Sequence, residues 1–500
     1  MTHHTKVIQI CGTGSGVGKS AIVAGLCRLF ADDGFSVAPF KAQNMALNSA
    51  VTPENLEIGR AQAMQAEACR IEPTADMNPV LLKPTGDTGC QVILRGKPFR
   101  NMSVREYTDF KPQVFKMVRE SLDMLMSRYD IVVIEGAGSP VEINLKRHDI
   151  VNMKIAAAVQ APVLLVGDID RGGVFAWLLG TMGLLTKSEQ KLLKGFIINK
   201  FRGDKTLLDS GLDFLEKKSR KKVVGVVPYF RDIRLPEEDS QFLGMKKECS
   251  SKGGITIAVI QLPRISNFTD FDVFEHEEGV SLQYTTEPAV LEKADCIIIP
   301  GTKNTCADLA FLHERGLAKV IRSRAKKGVP IVGICGGYQM LGKKIIDRSR
   351  VESSGGVVSG LALLDAETTF EKEKKTFQVE GKDIHTGFPV RGYEIHHGTT
   401  TIKGGEPAFL IEKRGAQKLR IKDGMRSHDG KIWGTYIHGI FDNFQFRKYF
   451  LNTVRAAKGL ETITPEIETH SPDEEYDKLA RLLRANLDIM YLYKILNGEV

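Results

Sequence analysis

The sequence predicts an α/β protein with two consecutive domains, the first of which is built on a doubly wound parallel sheet. Short runs rich in Val and Ile alternate with helix-length segments, as at Ile131–Glu135. Such near-continuous apolar runs are typical of strands that helices cover on both faces. A polar stretch with several Gly and Ser residues, Pro236–Gly254, interrupts the alternation before a second α/β series begins.

The apolar runs predict the strands of both series in chain order. In the first series they are Val7–Cys11, Ser36–Pro39, Ile131–Glu135, Val163–Gly167, Gly195–Asn199 and Val223–Val227. In the second series they are Ile255–Ile260, Cys296–Pro300, Pro330–Ile334 and Ile432–Ile437. We therefore expect a first domain over residues 1–235, a linker over 236–254 and a second domain over 255–450.

A helical tail is expected over residues 451–500. Ser471 followed by Pro472 and Glu474 has the pattern of a helix start, with a Ser cap, Pro in the first turn and Glu completing a capping box. Leu residues from Leu479 to Leu487 and then Met490 recur at helical spacing. This pattern predicts a packing element.

Composition narrows the function classes. The chain has 500 residues, of which 42% are hydrophobic and 26% charged, as in a globular protein. No apolar run reaches the roughly 18 residues that span a membrane, and the first residues do not resemble a signal peptide. We therefore expect a cytoplasmic protein without a membrane partner.

The charge of the chain is compatible with a small-molecule substrate, and its cysteines narrow the kinds of structural site. The net charge is +8, but it is spread along the chain, and dense runs such as Lys217–Lys222 are short. These runs indicate solvated helix faces rather than a nucleic-acid surface, while a polyanionic small substrate would suit the basic balance. The eight cysteines include no CxxC pair, which disfavours a structural zinc site or a disulfide framework.

A phosphate-binding loop follows the first strand. The stretch GTGSGVGKS begins at Gly12 and ends at Ser20. Its backbone N–H groups would face phosphate oxygens, Lys19 would reach the β and γ phosphates, and Ser20 would ligate Mg²⁺. The strict GxxxxGK[ST] pattern needs Gly where this chain has Thr13, so the loop is one residue longer. The predicted ATP-binding residues of the loop are Thr13, Gly14, Ser15, Gly16, Val17, Gly18, Lys19 and Ser20.

Polar residues at other strand ends complete the predicted ATP site. Glu135 ends a hydrophobic strand and is the candidate carboxylate for Mg²⁺. Asp168 and Asp170 are second candidates, although they could equally cap the next helix. Asn199 follows another strand and could bind the adenine edge. The alternative for Asn199 is a turn-forming residue.

Candidate substrate contacts lie in three polar stretches of the first domain. In doubly wound folds, ligands bind at the carboxyl ends of the strands, and a substrate with several carboxylates would need donors there. The candidates are Lys41, Gln43, Asn44, Arg60, Lys83 and Gln91.

The second domain carries a candidate nucleophile. Cys335 follows a strand, lies between Gly333 and Gly336, and precedes a helix-like stretch, which is the geometry of a nucleophile elbow. N–H groups at the helix start would favour the thiolate and stabilise an oxyanion. The predicted oxyanion donors are Gly336 and the loop residues Gly301 and Thr302. His438, at a later strand end, is the candidate general acid and base.

These stretches together resemble a known family. The lengthened loop is similar to that of the dethiobiotin synthetase-like P-loop proteins, and the Cys335 region is similar to class I glutamine amidotransferases. The motifs PFKAQNMALNS, EIGRAQA, MNPVLLKPTGDTGCQVIL, VGDIDRGGVFA, LPRISNFTDFD, IPGTKNT and RGYEIHHG resemble the CobB/CobQ-type amidotransferases, and most closely their cobyric acid synthase branch. The resemblance covers about residues 6–450. A partition-ATPase role is weakened, because the signature lysine of that branch would fall at Gly14.

The resemblance leaves one part of the glutaminase site open. The broader amidotransferase class has an acid two residues after its histidine, and this chain has Ile440 there. The residue that orients His438 is therefore not identified. Two roles stay open for Glu394, orientation of His438 or substrate binding, and the same holds for His396 and His397; Glu394 and His396 are candidate substrate contacts.

The resemblance implies a reaction. A family member would use ATP, Mg²⁺ and glutamine to amidate the b, d, e and g carboxylates of adenosylcobyrinic acid a,c-diamide, with cobalt present only inside that substrate. The nearest alternative is cobyrinic acid a,c-diamide synthesis. More distant alternatives are a regulatory P-loop switch and a ligase that uses free ammonia.

Overall fold

The structure is a computed structural model that describes residues 5–86, 89–236, 254–353, 355–464 and 471–500. The predicted linker lies almost wholly outside the described residues. Within these ranges, no helix is both long enough and apolar enough to cross a membrane.

The first half of the chain alternates strands and helices as predicted. Its strands are β1 (Lys6–Gly12), β2 (Val37–Phe40), β3 (Gln43–Met45), β4 (Ser49–Val51), β5 (Glu57–Gly59), β6 (Val80–Pro84), β7 (Gly89–Leu94), β8 (Lys97–Ser103), β9 (Ile131–Glu135), β10 (Val163–Asp168), β11 (Leu193–Phe201) and β12 (Lys222–Pro228). Its helices are α1 (Lys19–Asp32), α2 (Arg60–Ala68), α3 (Val104–Met126), α4 (Met153–Val159), α5 (Val174–Leu184), α6 (Lys187–Leu192) and α7 (Asp209–Ser219).

The six strands predicted for the first series form one parallel sheet in the order β12-β11-β10-β1-β9-β2. Separate apolar clusters cover its two faces, which explains the near-continuous Val and Ile content of the strands. The chain leaves β1 between β9 and β10, so the loop after β1 lies at the topological switch point where such folds bind ligands. The doubly wound prediction is confirmed.

The sequence did not predict two small sheets inserted between β2 and α3. One has the order β3-β6-β7-β8 and the other pairs β4 with β5. Their strands are short and partly polar, so apolar runs do not reveal them. These sheets carry many of the polar side chains proposed as substrate contacts.

The second half contains a further α/β unit and the tail. Its strands are β13 (Ile255–Ile260), β14 (Val280–Thr285), β15 (Cys296–Ile299), β16 (Ile331–Ile334), β17 (Lys344–Asp347), β18 (Gly356–Ser359), β19 (Ala366–Asp383), β20 (Pro389–Ile402), β21 (Phe409–Arg414), β22 (Gln417–Asp423), β23 (Met425–Arg426) and β24 (Ile432–Thr435). Its helices are α8 (Pro288–Lys293), α9 (Thr305–Glu314), α10 (Leu317–Lys326), α11 (Gly336–Leu341), α12 (Phe444–Ala457), α13 (Pro472–Asn486) and α14 (Ile489–Leu496).

The sheet of the second domain has the order β14-β13-β15-β16-β24-β23 and is parallel except for β23. A second, largely antiparallel sheet was not predicted. In it β19 and β20 form a long hairpin, and β19 also pairs with β17 and β21. The segment Phe268–His276, between β13 and β14, forms a 3-10 helix.

The tail returns to the first domain. Leu479 and Leu483 of α13 pack so closely on α1 that a Cβ on Gly25 would lie 2.5 Å from Leu483 Cδ1. The predicted single helix is broken after residue 486, and Met490 is exposed. The side chain of Ser471 makes no capping hydrogen bond, so the predicted capping box is absent. Helix α12 also continues past residue 450, where we placed the boundary.

Candidate active site

The loop between β1 and α1 is held in a phosphate-cradle geometry. Gly16 and Gly18 have φ of 70° and 93°, in the left-handed region that favours glycine. A Cβ on Gly18 would lie 2.2 Å from Nδ2 of Asn199. That Nδ2 donates to the carbonyl of Val17 over 2.9 Å. The end of β11 therefore supports the loop from behind.

Two side chains at the start of α1 are placed to meet phosphate and metal. Nζ of Lys19 donates to the carbonyls of Gly14 at 2.8 Å and Gly138 at 3.3 Å. Phosphate oxygens are stronger partners for an ammonium group than these neutral acceptors. The hydroxyl of Ser20 donates to Oε1 of Glu135 over 2.9 Å. The predicted roles of Lys19 and Ser20 are compatible with these positions.

Glu135 ends β9 as a fully buried carboxylate. Its Oε1 also accepts from Nζ of Lys41 at 2.9 Å, and its Oε2 accepts from Nε2 of Gln65 at 2.5 Å. Mg²⁺ at nucleotide sites usually takes one or two carboxylates together with phosphate oxygens and water. The oxygens of Ser20 and Glu135 fit that ligand set. The described residues hold no cluster of three or more His, Cys, Asp or Glu that could bind a metal alone.

The second candidate carboxylates are engaged in ion pairs. Oδ2 of Asp168 accepts from Nζ of Lys200 at 2.9 Å, and the same Nζ donates to the carbonyl of Gly16 at 2.6 Å. Asp170 pairs with Arg202 at 2.8 Å. Asp168 therefore positions Lys200 against the phosphate loop. Lys200 was not among the predicted residues, although it directly follows Asn199 at a predicted strand end.

A cavity of about 470 Å³ opens beside this loop. Apolar and charged side chains share its wall, which is formed by Thr13, Gly14, Ser15, Val17, Ser139, Val141, Glu142, Asp168, Arg171, Ala176, Trp177, Gly180, Thr181 and Leu184. Asn199 is not part of this wall. Its Oδ1 is buried without a hydrogen-bond partner among the described residues, so only that atom is available for the predicted adenine contact.

Three predicted substrate contacts are engaged in internal hydrogen bonds of the first domain. Lys41 is paired with the buried carboxylate that ends β9. Gln43 accepts from the hydroxyl of Tyr107 at 2.5 Å. Asn44 donates to Oε1 of Gln62 at 3.0 Å and is buried. Their assignment as corrinoid contacts stays a prediction.

The remaining candidates lie elsewhere. Lys83 and Gln91 face each other across β6 and β7, and Lys83 lines the pocket of the second domain. Arg60 is the first residue of α2, and its guanidinium nitrogen lies 3.8 Å from the carboxylate of Glu67 in the same helix. Lys83 and Gln91 are thus neighbours, whereas Lys41, Gln43, Asn44 and Arg60 each contact a different partner.

Cys335 occupies the tight turn between β16 and α11. Its φ of 52° and ψ of −108° are strained for a residue with a side chain. Close packing enforces the turn, because a Cβ on Gly337 would lie 1.9 Å from the carbonyl oxygen of Ile299. The Cys335 thiol lies 3.5 Å from the carbonyl oxygen of Ile395. This is the strand–turn–helix geometry of a nucleophile elbow.

The predicted oxyanion donors surround the thiol. Thr302 and Gly336 line the same pocket as Cys335 and His438. A Cβ on Gly336 would lie 3.3 Å from the backbone nitrogen of Thr302, so the backbones of the two residues are close neighbours. Gly301 packs against the histidine ring, since its Cβ would lie 3.0 Å from Cε1 of His438. The hydroxyl of Thr302 is bonded to Asp308, which leaves the backbone N–H for the oxyanion.

His438 is oriented by Asp270, which the sequence analysis did not identify. Nδ1 of His438 donates to Oδ2 of Asp270 over 2.7 Å, and Oδ1 of Asp270 accepts from the N–H of Gly439 at 3.0 Å. Nε2 then remains to meet the neighbouring thiol of Cys335. Burial opposes charge on the ring, but Asp270 and Cys335 outweigh it and raise the pKa of His438 to about 10.

A signal for Asp270 was present in the sequence. It lies in the motif LPRISNFTDFD, which carried the family resemblance but had no assigned role. The acid comes from the segment Phe268–His276, nearly 170 positions before His438, so spacing near the histidine could not reveal it. Ile440, where the broader class has an acid, is fully buried among apolar side chains.

The Glu394 region supports the pocket in another way. Glu394 pairs with Arg414 at 2.9 Å, and burial together with Asp423 raises its pKa to about 7 despite Arg414. The ring of Tyr393, its neighbour, stacks on His438 at 5.3 Å. Glu394 therefore does not orient His438.

The two adjacent histidines are held neutral by burial. His396 stacks on Tyr436 at 3.7 Å, and burial drives its pKa well below the usual value. Burial also lowers the pKa of His397 to about 4. Both histidines line the Cys335 pocket.

Side chains of the first domain reach this pocket. Glu57, fully buried on β5, pairs with Lys83 and with Lys374 of β19, the latter at 2.5 Å. Each lysine comes from a different half of the chain. Two further hydrogen bonds join the halves nearby. The N–H of Ser49 donates to Asn267 Oδ1 at 2.9 Å, and the N–H of Phe268 donates to Asn48 Oδ1 at 3.2 Å.

Comparisons with known proteins agree with this two-part arrangement. A family model of the CobQ/CobB/MinD/ParA nucleotide binding domain matches residues 8–242. A model of the CobB/CobQ-like glutamine amidotransferase domain matches residues 256–446. The chain is 51% identical to the cobyric acid synthase of Thermoanaerobacter sp. (strain X514), over 98% of each chain. It is 49% identical to that of Dehalococcoides mccartyi (strain CBDB1), over 99% of each chain.

Proposed function

The chain belongs to the cobyric acid synthase family, a group of glutamine-hydrolysing amide ligases, and we propose that its substrate is adenosylcobyrinic acid a,c-diamide. It carries out ATP-driven, glutamine-dependent amidation in cobalamin biosynthesis. In the proposal, the b, d, e and g carboxylates become amides. Residues 1–235 activate the carboxylates and residues 255–450 supply the nitrogen. The observation that carries it is the presence of a phosphate cradle and a Cys335–His438–Asp270 site in one chain.

Glutamine hydrolysis needs a nucleophile, a proton carrier and oxyanion donors. The sulfur of Cys335 attacks the side-chain amide carbon, and the N–H groups near Thr302 and Gly336 stabilise the oxyanion. His438 carries the thiol proton to the amide nitrogen, the C–N bond breaks, and ammonia leaves. Water then hydrolyses the thioester to glutamate and restores the thiol.

Carboxylate activation belongs to the first domain. A carboxylate resists nucleophiles because of its charge, and transfer of the γ-phosphoryl group of ATP gives an acyl phosphate that ammonia can attack. Lys19 and the loop N–H groups bind the phosphates and stabilise charge during transfer. Ser20 and Glu135 would hold Mg²⁺, which supplies further neutralisation of the phosphate charge. Ammonia displaces phosphate to give the amide.

The corrinoid assignment is supported by the cavity beside the loop. Trp177 and Leu184 give it an apolar wall that suits a large ring, and Arg171, which shares the wall with Asp168 and Glu142, gives it a cation for a substrate carboxylate. Cobalt enters only as part of that substrate. The proposal includes no nucleic-acid or membrane partner and a cytoplasmic site of action, where ATP is available.

The deciding experiment compares two corrinoids. The purified chain is incubated with glutamine and Mg·ATP and with either adenosylcobyrinic acid a,c-diamide or cobyrinic acid, and ADP, glutamate and corrinoid mass are measured. We expect four successive amidations of the diamide, with one ADP and one glutamate for each. Turnover of cobyrinic acid alone would instead assign the chain to a,c-diamide synthesis.

A further inference from the structure

The residues assigned so far act on only one end of glutamine. Cys335 and His438 meet its side-chain amide, whereas the other end carries an α-carboxylate and an α-ammonium group. Two opposite charges about one carbon need opposite partners in the wall of the site. Four charged residues other than histidine line the Cys335 pocket: Lys83, Lys303, Glu352 and Lys374.

Two of these four residues already have a partner. Lys83 and Lys374 both contact the carboxylate of Glu57, which also accepts from the hydroxyl of Ser49 at 3.0 Å. Withdrawal of either ammonium would break a buried ion pair, which is costly. The Glu57 group therefore forms a fixed wall between the domains.

Lys303 differs from the other two lysines. Its backbone N–H donates to the carbonyl of Arg264 at 3.0 Å, which fixes its position beside the oxyanion loop. Its ammonium makes no hydrogen bond or ion pair with any residue the structure describes. Burial and the nearby Lys374 lower its pKa, against the opposing effect of Glu352. A cation in such surroundings gains most from an incoming carboxylate.

Glu352 is a positioned carboxylate with one oxygen to spare. Its Oε2 accepts from the N–H of Thr305 at 2.6 Å, and no donor to Oε1 occurs among the described residues. Asp347 fixes the surrounding turn by accepting from the N–H groups of Val351, Glu352 and Ser353 at 2.8 to 3.0 Å. Burial raises the pKa of Glu352 to about 7. A neighbouring ammonium would favour its charged form.

We propose that Lys303 binds the α-carboxylate of glutamine and that Glu352 binds its α-ammonium group. The two residues would thus select glutamine from other primary amides, while Cys335 performs the chemistry. This inference rests on the glutaminase activity proposed above. The pocket encloses about 40 Å³, room for only a few water molecules. The side chains of Lys303 and Glu352, rather than the fixed Glu57 group, must therefore move outward as glutamine enters.

The assignment is tested by removing the charged group from the protein in one set of variants and from the amide substrate in another set of compounds. Ammonia release is measured for wild type, Lys303→Met and Glu352→Gln with three amides. These are glutamine, its α-methyl ester, which lacks the carboxylate charge, and glutaramate, which lacks the α-ammonium group. Lys319→Met, an exposed lysine on α10, is the matched control and should behave as wild type.

The expected pattern is specific to each residue. Lys303→Met should lower kcat/KM for glutamine about 10- to 100-fold, the range for a lost bond to a charged group, and change the methyl ester value much less. Glu352→Gln should lower kcat/KM for glutamine over the same range and change the value for glutaramate much less. Equal losses on all three amides, with thermal unfolding unchanged, would overturn the inference.

Two outcomes separate this inference from the proposed function. If wild type releases no ammonia from glutamine, the proposed glutaminase function fails. If wild type is active but both variants discriminate among the amides as it does, only the assignment of Lys303 and Glu352 fails. If either variant unfolds, the corresponding charge-preserving variant, Lys303→Arg or Glu352→Asp, is measured in its place. Retained selectivity in these variants would support the assignment, and lost selectivity with normal unfolding would contradict it.

Discussion

The two reaction centres share a local geometry but hold it differently. Each follows a parallel strand with a tight turn and a helix. In the ATP half, the left-handed positions are Gly16 and Gly18, which adopt them without strain. In the glutaminase half, the positive φ belongs to Cys335 itself, and close packing of Gly337 on β15 enforces it. Glycines permit the turn of the phosphate loop, whereas packing against β15 imposes the turn at Cys335.

The surroundings of the two centres also differ. The phosphate loop borders a cavity of about 470 Å³, while the pocket at Cys335 encloses about 40 Å³. Lys83 of the first domain helps to close the smaller pocket. The ATP half is thus open for a large ligand, and the glutaminase half depends on the domain contact for its enclosure.

Replacement of the nucleophile should have the largest effect, and the effect should fall on the glutaminase half alone. Cys335→Ser should lower glutamine-dependent amidation by at least about 10³-fold, since the hydroxyl is a far weaker nucleophile at neutral pH. Ammonia-dependent amidation should persist, because the ATP half is untouched. Both rates are measured by corrinoid mass, with Cys90→Ser as the control. Simultaneous loss of both activities would show that the halves are not chemically separable.

Removal of the phosphate-loop lysine should produce the converse result. Lys19→Met should reduce amidation about 10²- to 10³-fold with either nitrogen source, the cost of losing one preorganised charge donor. Hydrolysis of glutamine to glutamate should continue. The measurement is ADP release and glutamate release in the same reaction. ADP formation at the wild-type rate would contradict the assigned role of Lys19.

Asp270→Asn tests the acid that the structure adds to the glutaminase centre. An amide cannot stabilise the imidazolium, so ammonia release from glutamine should fall about 10²-fold or more. The protonated ring donates to the leaving nitrogen, and activity is therefore lost as pH rises through the pKa of His438. Asp270 helps to hold that pKa near 10. The alkaline limb of the pH–rate profile should move down toward the ordinary value of about 6.5.

An unchanged alkaline limb in Asp270→Asn would contradict this account, even if the rate fell. Asp272→Asn, two residues later in the same 3-10 segment, is the control for general disturbance of the segment. It should leave the pH profile as in wild type.

The sequence revealed the features that are encoded locally. Continuous Val and Ile runs predicted all six strands of the first parallel sheet and four of the six strands of the second, where β14 and β23 were missed. The stretch GTGSGVGKS predicted the phosphate loop. Cys335 was recognisable because the strand, the glycines and the helix are contiguous. In each case, the physical cause and the sequence signal lie within about ten residues of each other.

Long-range contacts were not predictable in the same way. Asp270 contacts His438 from a position 168 residues earlier in the chain. Helix α13, near the end of the chain, packs on Gly25 of α1. The pairing of Glu57 with Lys83 and Lys374 required three strands from two domains to meet. No period or spacing in one segment specifies such a meeting, because tertiary packing determines it.

The smallest predicted effect concerns the contact between the halves. Asn48 accepts from the N–H of Phe268, two residues before Asp270, and lies seven residues after Lys41, which pairs with Glu135. This segment therefore joins Glu135, the proposed Mg²⁺ ligand, to the contact between Asp270 and His438. Asn48→Ala removes the bond next to Asp270, and we expect glutamate release to exceed amide formation by a few-fold. That is the scale of about 1 kcal/mol for one hydrogen bond.

The control for Asn48→Ala is Asn55→Gly, which removes another bond between the halves, from the N–H of Gln378, and keeps the positive φ of residue 55. That bond lies on β19, away from the Asp270 segment. The ratio of glutamate to amide is measured in both variants with the corrinoid and Mg·ATP present. A ratio near one in Asn55→Gly and above one in Asn48→Ala places the coupling in the Asn48 segment. Equal ratios would mean that the domain contact as a whole, rather than this segment, keeps the two reactions in step.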